Sequence, residues 1–321
     1  MLASLNRDKE ALAAWKAAAS DSGNIIARRN LARALWVVEG NKDAAATEYQ
    51  AAIATSPNEY RLYVEFDRLL TDMNALQRRL NLLEGAPATV KAQSPFVQSL
   101  AGAYIDANRF GDAAALLGKT AFTSGEGEDA ALGLYRKAHL GLARQYQLSG
   151  DHGKAAAEFA AVTEYPRNLG VGRPAMQSQA REYVAAAREY ELAGNHAESE
   201  KWWNHAATEE LNPPTQPEEP WSEHYFYKAV ALDHVGRKQE ARALYERLAL
   251  LNDDKQMVEA EPWPPSGAIR FVLAGSALKA LGRSAEARVA LERALKLDPK
   301  NELALAQLAE LTGDKTPRVG N

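Results

Sequence analysis

Apolar residues recur every three or four positions in two runs within residues 266–301, which predicts two amphipathic α-helices. Leu281, Gly282 and Arg283 separate the two runs. Pro299 follows the second run and cannot continue a helix. Counted from Ala268 as position 1, small residues occupy positions 8 and 20, and large apolar residues occupy positions 4, 11 and 24. Small residues let two helices approach closely, and large residues on either side fill the remaining space. The stretch therefore predicts one helix–turn–helix unit.

This spacing resembles the tetratricopeptide repeat, a helix–turn–helix unit of 34 residues. The residues that carry the resemblance are Phe271, Gly275, Leu278, Ala287, Leu291, Ala294 and Pro299. The resemblance implies an all-α fold, a right-handed helical solenoid in which successive units stack on one another.

The same signals recur along the whole chain and predict about eight units, which we number R1 to R8. We take the small residue at position 20 of each unit as its anchor. A turn residue lies five positions before each anchor, and a large apolar or aromatic residue lies four positions after it. The predicted anchors are Ala11, Ala45, Arg78, Ala113, Ala155, Ser199, Ala241 and Ala287.

The predicted turn residues are mostly Gly or Asn, as expected where a helix ends in a left-handed conformation. They are Asn6, Gly40, Met73, Asn108, Gly150, Gly194, Gly236 and Gly282. R1 is incomplete, because its first helix would begin before Met1. This favours a chain that continues upstream; the alternative is a short irregular segment that covers the exposed end.

The anchors lie 33–35 residues apart up to R4 and 42–46 residues apart beyond it. We therefore predict a single solenoid over residues 2–311, with regular units in 2–119, enlarged loops between units in 120–311, and a disordered tail in 312–321. The loops place aromatic residues beside Gly and Pro at one predicted edge, which suggests a binding surface. The alternative is that each aromatic side chain folds back on its own unit. These loop-edge residues are Phe122, Tyr165, Trp221 and Trp263.

Charge and composition argue against several classes of function. The formal net charge is −4, so no strong positive field attracts nucleic acid. The absence of Cys excludes disulfides and thiol catalysis. No apolar run approaches the ~20 residues that span a bilayer, so we expect no membrane insertion. The N-terminal residues lack the pattern of a signal peptide, which favours a cytoplasmic location unless an export signal lies upstream.

Three stretches resemble a particular bacterial family. They are Asp67–Leu70 with Arg79–Glu84, Phe122–Glu128 with Tyr135 and Ala138–Leu142, and Tyr165–Arg173. The family consists of large multi-domain proteins with a C-terminal repeat region, and the likeness covers residues 2–208. It implies an N-terminal domain of unknown function that is galactose-mutarotase-like and carbohydrate-associated. The chain departs from the family at Ser124–Gly127, where a Trp and two adjacent Gly are usual, and at Val171, where an acidic residue is usual.

Catalytic and metal-binding motifs are missing. The six His residues include no HExxH pair, and the two Gly-x-Gly segments lack the Lys and Ser or Thr of a phosphate loop. Glu126, Glu128 and Asp129 are better explained as a solvated acidic turn than as paired catalytic carboxylates. We therefore predict a non-catalytic chain with no cofactor and no metal.

The remaining candidate is the groove that the first helices of such a solenoid line at positions 2, 5, 9 and 12. In R3, R5, R6 and R7 these positions include aromatic and basic residues, and the basic residues suit an acidic peptide or a terminal carboxylate. The alternative is that Glu182, Glu189 and Glu191 neutralise them. The candidate binding residues are Tyr60, Tyr63, Lys137, Arg144, Arg181, Arg188 and Phe226, with Asp67 and Leu140 at neighbouring positions.

Together these observations predict a scaffold that docks another protein or an N-terminal domain of its own chain. The alternative, from the bacterial resemblance, is the accessory region of a carbohydrate-active enzyme whose catalytic domain lies N-terminal to this chain.

Overall fold

In the described residues the protein is all-α, and its helices follow one another as helix–turn–helix repeats. The computed structural model describes residues 8–20, 23–123, 128–172, 178–210, 221–254 and 267–312, and these form 17 α-helices and two 3-10 helices with no strand among them. The predicted tail beyond residue 312 lies outside the described residues. The helices are α1 (Asp8–Ala19), α2 (Ile25–Val37), α3 (Lys42–Thr55), α4 (Tyr60–Asp72), α5 (Leu76–Glu84), α6 (Ala88–Lys91), α7 (Ser94–Asp106), α8 (Phe110–Lys119), α9 (Glu128–Ser149), α10 (His152–Val162), α11 (Ala180–Leu192), α12 (His196–Thr208), α13 (Trp221–His234), α14 (Lys238–Ala249), α15 (Ala268–Ala280), α16 (Ser284–Leu297) and α17 (Glu302–Thr312), and the 3-10 helices are Arg167–Leu169 and Leu250–Asn252.

Short polar side chains begin several of these helices. In α2, α3, α10 and α12 the residue before the helix accepts a hydrogen bond from the backbone N–H three positions later. Such a cap satisfies a backbone donor that has no partner inside the helix. The capping residues are Asn24, Asn41, Asp151 and Asn195.

The helices group into two compact units. The first contains Met1–Gly141 and Tyr165–Gly172, and the second contains Leu142–Glu164 and Arg173–Asn321. Within the first, α1 to α5, α7 and α8 pack in chain order, and α6 is a short addition between R3 and R4. Within the second, α10 to α17 pack in chain order. Each unit has its own apolar core, with Tyr49 and Phe96 fully buried in the first and Leu278 and Leu291 in the second.

Close approach of the two helices within a repeat depends on small residues, as the sequence predicts. A Cβ added to Gly275 of α15 would lie 2.7 Å from Cγ of Leu291 and 3.3 Å from the carbonyl oxygen of Ala287, both on α16. Seven of the eight predicted anchors are buried, so the register is confirmed at those seven: Ala11, Ala45, Ala113, Ala155, Ser199, Ala241 and Ala287.

The predicted register of R3 is wrong by one residue. The left-handed turn residue is Asn74, with φ 53°, and not Met73. The buried residue at the anchor position is accordingly Arg79, which is 6% exposed, whereas Arg78 is exposed to solvent. With Arg79 as anchor, the spacing of the first four anchors becomes regular.

R3 departs from the other repeats because a buried ion pair replaces its two small residues. Arg79 Nε donates to Asp67 Oδ1 at 2.8 Å, and Nη1 donates to Asp106 Oδ2 at 2.6 Å. Asp67 occupies position 8 of the corrected register, where R8 has Gly275. Burial disfavours the charged guanidinium, but the two carboxylates outweigh this effect and raise the pKa of Arg79.

Candidate binding surface

A backbone hydrogen bond across the turn after each first helix shows how to align the first helices of the repeats with one another. In R3 to R8, the residue after the left-handed turn residue donates its N–H to a carbonyl five residues earlier, as Arg283 does to Leu278 at 2.9 Å. In R2, Asn41 donates to Leu35, six residues earlier, at 2.8 Å. The turn of R2 is therefore one residue longer, and its first helix must be aligned one residue earlier than the anchor spacing suggests.

With this alignment, Arg is the commonest residue at position 9, which directly follows a small residue in every first helix except that of R3. The residues there are Arg33, Arg68, Gly102, Arg144, Arg188, Val230 and Ser276 in R2 to R8. The four Arg residues are exposed, and their side chains form no hydrogen bond or ion pair within the described part of the chain. We call these four residues the position-9 arginines. Arg33 and Arg68 belong to the first compact unit, and Arg144 and Arg188 belong to the second.

In the second compact unit, an exposed Leu follows each position-9 arginine by one helical turn. Leu148 is 68% exposed on α9 and Leu192 is 63% exposed on α11. A polar contact joins the two helices beside these residues, since Gln147 Nε2 donates to Glu189 Oε1 at 2.7 Å. The arrangement presents two cations and two apolar side chains on neighbouring first helices.

Glu189 is buried, and His152 at the start of α10 also lies against it. His152 Nδ1 is 2.8 Å from Glu189 Oε2, while Gln147 occupies the other carboxylate oxygen. Both carboxylate oxygens of Glu189 are therefore engaged by residues other than Arg188. The sequence-based alternative is that Glu189 neutralises the neighbouring arginines. No salt bridge joins Glu189 to Arg144 or Arg188 in the described residues.

The same alternative is correct for Arg181. Its guanidinium contacts Glu182 at 2.9 Å and Glu223 at 3.3 Å. Burial opposes the charged form, but the two carboxylates outweigh it, so the pKa of Arg181 is raised. Arg181 is therefore a partly neutralised member of the predicted basic set, in contrast to Arg144 and Arg188.

Aromatic rings lie beside Arg188. Phe226 of α13 is half-buried and packs edge-on against Tyr227, with ring centroids 5.5 Å apart, and its centroid is 6.3 Å from that of Tyr245. Burial and the nearby Asp233 raise the pKa of Tyr245 to about 12, while the positive charge of Arg188 acts in the opposite direction. Tyr245 is therefore a buried, neutral phenol at physiological pH.

The one-residue correction in R3 removes three residues from the predicted groove. Tyr63 is 4% exposed and donates its hydroxyl to the carbonyl oxygen of Pro57 at 3.0 Å, so it belongs to the core. Asp67 is buried against Arg79. Tyr60 is half-buried, packs against the same apolar cluster as Tyr63, and lies under the guanidinium of Arg61.

Lys137 and Leu140 lie on the part of α9 that belongs to the first compact unit. Lys137 is exposed and Leu140 is half-buried.

The first predicted loop aromatic, Phe122, is buried at 7% exposure, so its assignment to an exposed loop edge is wrong. Its backbone N–H donates to the carbonyl oxygen of Asn168 at 2.7 Å. The Asn168 side-chain amide donates to the carbonyl oxygens of Leu117 and Thr120 at 2.9 and 2.8 Å. Two of the stretches that carry the bacterial resemblance therefore meet here, and their shared role is to close the end of α8.

Of the other three loop aromatics, the structure describes the side chain of Tyr165 alone. Tyr165 is half-buried against the cluster that contains Phe122, and the guanidinium of Arg136 lies 6.0 Å from its ring centroid. Trp221 is the first residue of α13, but its side chain lies outside the described residues, as does the whole of Trp263.

The described residues contain neither a metal-binding cluster nor a membrane-spanning helix. No group of three or more His, Asp or Glu side chains there is arranged to hold a metal ion. No described helix combines the length and apolar character needed to cross a bilayer.

One family model matches the C-terminal part of the chain. Residues 270–311 match the family model described as tetratricopeptide repeat. This match covers most of R8 together with α17, and the described helices before it repeat the same helix–turn–helix arrangement. Among curated protein sequences there is no significant match.

Several solved structures are similar to this chain. A tetratricopeptide repeat protein from Parabacteroides merdae is 17% identical, covers 87% of this chain and 94% of its own, and has a TM-score of 0.42. The C-terminal part of a repeat-containing protein from Cytophaga hutchinsonii is 14% identical, with coverage of 86% and 98% and a TM-score of 0.42. The type IV pilus biogenesis factor PilW is 17% identical, with coverage of 64% and 88% and a TM-score of 0.32. At these values the likenesses carry no argument about partner or function.

Proposed function

We propose that this chain is a non-catalytic scaffold that binds a protein partner, either a separate protein or a domain of its own chain. Proteins built from such repeats present surfaces from a rigid stack of helices, and binding to other proteins is their usual role. The observation that carries the proposal is the pair Arg144 and Arg188, which are exposed cations without an ion pair in the described residues, beside exposed Leu148 and Leu192.

The chemistry of this surface favours an acidic peptide that also carries apolar side chains. An Arg guanidinium offers paired N–H donors that match a carboxylate, and a hydrogen bond between two charged groups is stronger than one between neutral groups. Exposed leucines gain ~25 cal/mol for each Å² of apolar surface that a partner removes from water. A segment in which acidic and apolar residues lie close together meets both requirements.

A binding measurement with a defined peptide tests the proposal. The probe is a short fluorescent peptide of Glu, Leu and Gly, and its control is the same peptide with Lys in place of Glu. We expect the double variant Arg144→Gln/Arg188→Gln to weaken binding of the acidic probe about fivefold, because two exposed ion pairs contribute ~0.5 kcal/mol each. Fluorescence anisotropy measures the affinities.

The matched control is Arg288→Gln on α16, which removes an exposed Arg from a second helix of the same compact unit. It should leave the affinity unchanged. Equal affinities for wild type and the double variant, or equal binding of the acidic and basic probes, would contradict the proposed function.

A further inference from the structure

Arg33 and Arg68 lie between two side-chain contacts that join the first helices α2 and α4. On one side, Arg29 Nε donates to Glu65 Oε2 at 2.8 Å. On the other side, Trp36 Nε1 donates to Asp72 Oδ2 at 2.8 Å. Arg33 follows Arg29 by one turn of α2, and Arg68 precedes Asp72 by one turn of α4. The two arginines therefore lie at the same level on α2 and α4. The Arg29–Glu65 salt bridge lies one turn before them, and the Trp36–Asp72 hydrogen bond lies one turn after them.

The carboxylates around these arginines are engaged by other groups. Glu65 is held by Arg29 and by the Tyr49 hydroxyl at 3.4 Å. Asp72 accepts from Trp36 and contacts Lys42 Nζ at 2.9 Å.

Asp67 lies buried against Arg79 and is not available either. Two exposed guanidinium groups consequently lie on neighbouring first helices with no counter-ion among the described residues. Like charges on neighbouring helices repel, and an anion placed between them relieves that repulsion.

Other exposed residues extend the same surface along the two helices. Ile26 is 73% exposed and lies two turns before Arg33 on α2. Arg61 lies two turns before Arg68 on α4, and its side chain is 59% exposed, with Glu59 at 3.9 Å as its ion-pair partner. The surface thus offers an apolar side chain and a further cation beside the two unpaired arginines.

We propose that Arg33 and Arg68 form a second binding site, in the first compact unit, for an acidic peptide whose carboxylates are three residues apart. The inference extends the proposed function from one compact unit to the other. Side-chain contacts join α2 and α4, and the axes of helices in contact lie about 10 Å apart. A peptide in the polyproline II conformation has three residues per turn and rises ~3.1 Å per residue, so every third side chain lies on one side at intervals of ~9 Å. Two carboxylates at that spacing meet one arginine on each helix.

Titration calorimetry with two isomeric peptides tests this site. The first probe is a proline-rich peptide with Glu at every third position, and the second has the same composition with its Glu residues in one block. We expect the first probe to bind about tenfold more tightly, and the variant Arg33→Gln/Arg68→Gln to lose that preference in the first compact unit. The control Arg78→Gln removes an exposed Arg from α5 of the same repeat and should change nothing.

The affinity of each site separates this inference from the proposed function. If both are correct, the wild type binds two peptides, Arg144→Gln/Arg188→Gln weakens one site about fivefold, and Arg33→Gln/Arg68→Gln weakens the other about tenfold. If only the present inference is correct, the wild type binds one peptide, and only Arg33→Gln/Arg68→Gln weakens its binding. Unchanged stoichiometry and affinity in Arg33→Gln/Arg68→Gln would overturn it.

Two further outcomes would overturn the peptide assignment. One is equal affinity for the two isomeric peptides, which would show that the spacing of the carboxylates does not matter for binding. The other is tighter binding of a single-stranded RNA probe that depends on the same two arginines. Thermal melting of each variant checks that the fold is retained, and Arg33→Lys/Arg68→Lys, which keeps the charge but not the paired donors, should recover only part of the affinity.

Discussion

A buried charge distinguishes R3 from the other repeats at the scale of single residues. Arg79 stands where the other repeats have a small residue, and Asp67 stands where R8 has Gly275. Ion pairs inside a protein add little net stability, because both charges lose their hydration, but removal of one partner is costly. The main effect of the pair is therefore to fix how α5 packs against α4 in R3, and its net contribution to stability is small.

We expect Asp67→Ala to lower the free energy of unfolding by about 3 kcal/mol, because Arg79 would remain buried with only the exposed Asp106 as partner. Urea denaturation measures the loss. Asp106→Ala is the matched control and should cost at most ~1 kcal/mol, since Asp106 is largely exposed.

The double variant Asp67→Ala/Arg79→Ala supplies the second arm of this experiment. It removes both charges and leaves small residues like those of the other repeats, so it should recover part of the stability that Asp67→Ala loses. If Asp67→Ala lowers the free energy of unfolding no more than Asp106→Ala does, the buried ion pair is not needed for the packing of R3.

At the scale of helices and loops, the sequence predicts the features that depend on residues close together in the chain. Gly or Asn at a left-handed turn and a small residue five positions later are both visible in the sequence, and they place the anchors of R2 and of R4 to R8 correctly. R3 fails because its turn residue is Asn74, with Met73 beside it, and its anchor is a charged residue. The one-residue error then places Tyr60 and Tyr63 in the groove and misses Arg68.

Contacts between distant residues explain the other error. Phe122 lies in a stretch rich in Gly and polar residues, which predicts an exposed loop. Its burial depends on Asn168, far along the chain, which binds the backbone at both Leu117 and Thr120. Arg33 is missed for a related reason, since the extra residue in the turn of R2 is visible only in the hydrogen bond from Asn41 to Leu35.

We predict that Asn168→Asp destabilises the protein by about 1–3 kcal/mol. The carboxylate retains the shape of the amide but cannot donate to the two carbonyl oxygens, which would lose their partner. Urea denaturation measures the effect, and faster amide exchange at Phe122 would localise it. Arg167→Gln, at an exposed neighbouring position, is the control and should be neutral. A neutral result for Asn168→Asp would mean that the loop is held by its apolar contacts alone.

At the scale of the whole molecule, the net charge and the position-9 arginines act in opposite directions on an acidic partner. The chain carries a formal net charge of −4, which repels an acidic peptide at long range. The four exposed position-9 arginines attract it only at short range. Selectivity for such a partner must therefore come from the local sites, where charge and spacing match, and not from the overall field.

Ionic strength separates binding by the arginines from binding by the exposed leucines. Raising the salt concentration from about 0.1 M to about 1 M shortens the Debye length from about 10 Å to about 3 Å. We expect the affinity for the acidic peptides to fall about tenfold, because the contacts are exposed charge pairs. The urea midpoint of the free protein should change little, since its core is apolar. An affinity that is unchanged or higher at 1 M salt would show that Leu148 and Leu192, rather than Arg144 and Arg188, dominate the interaction, because salt screens charges but does not weaken apolar burial.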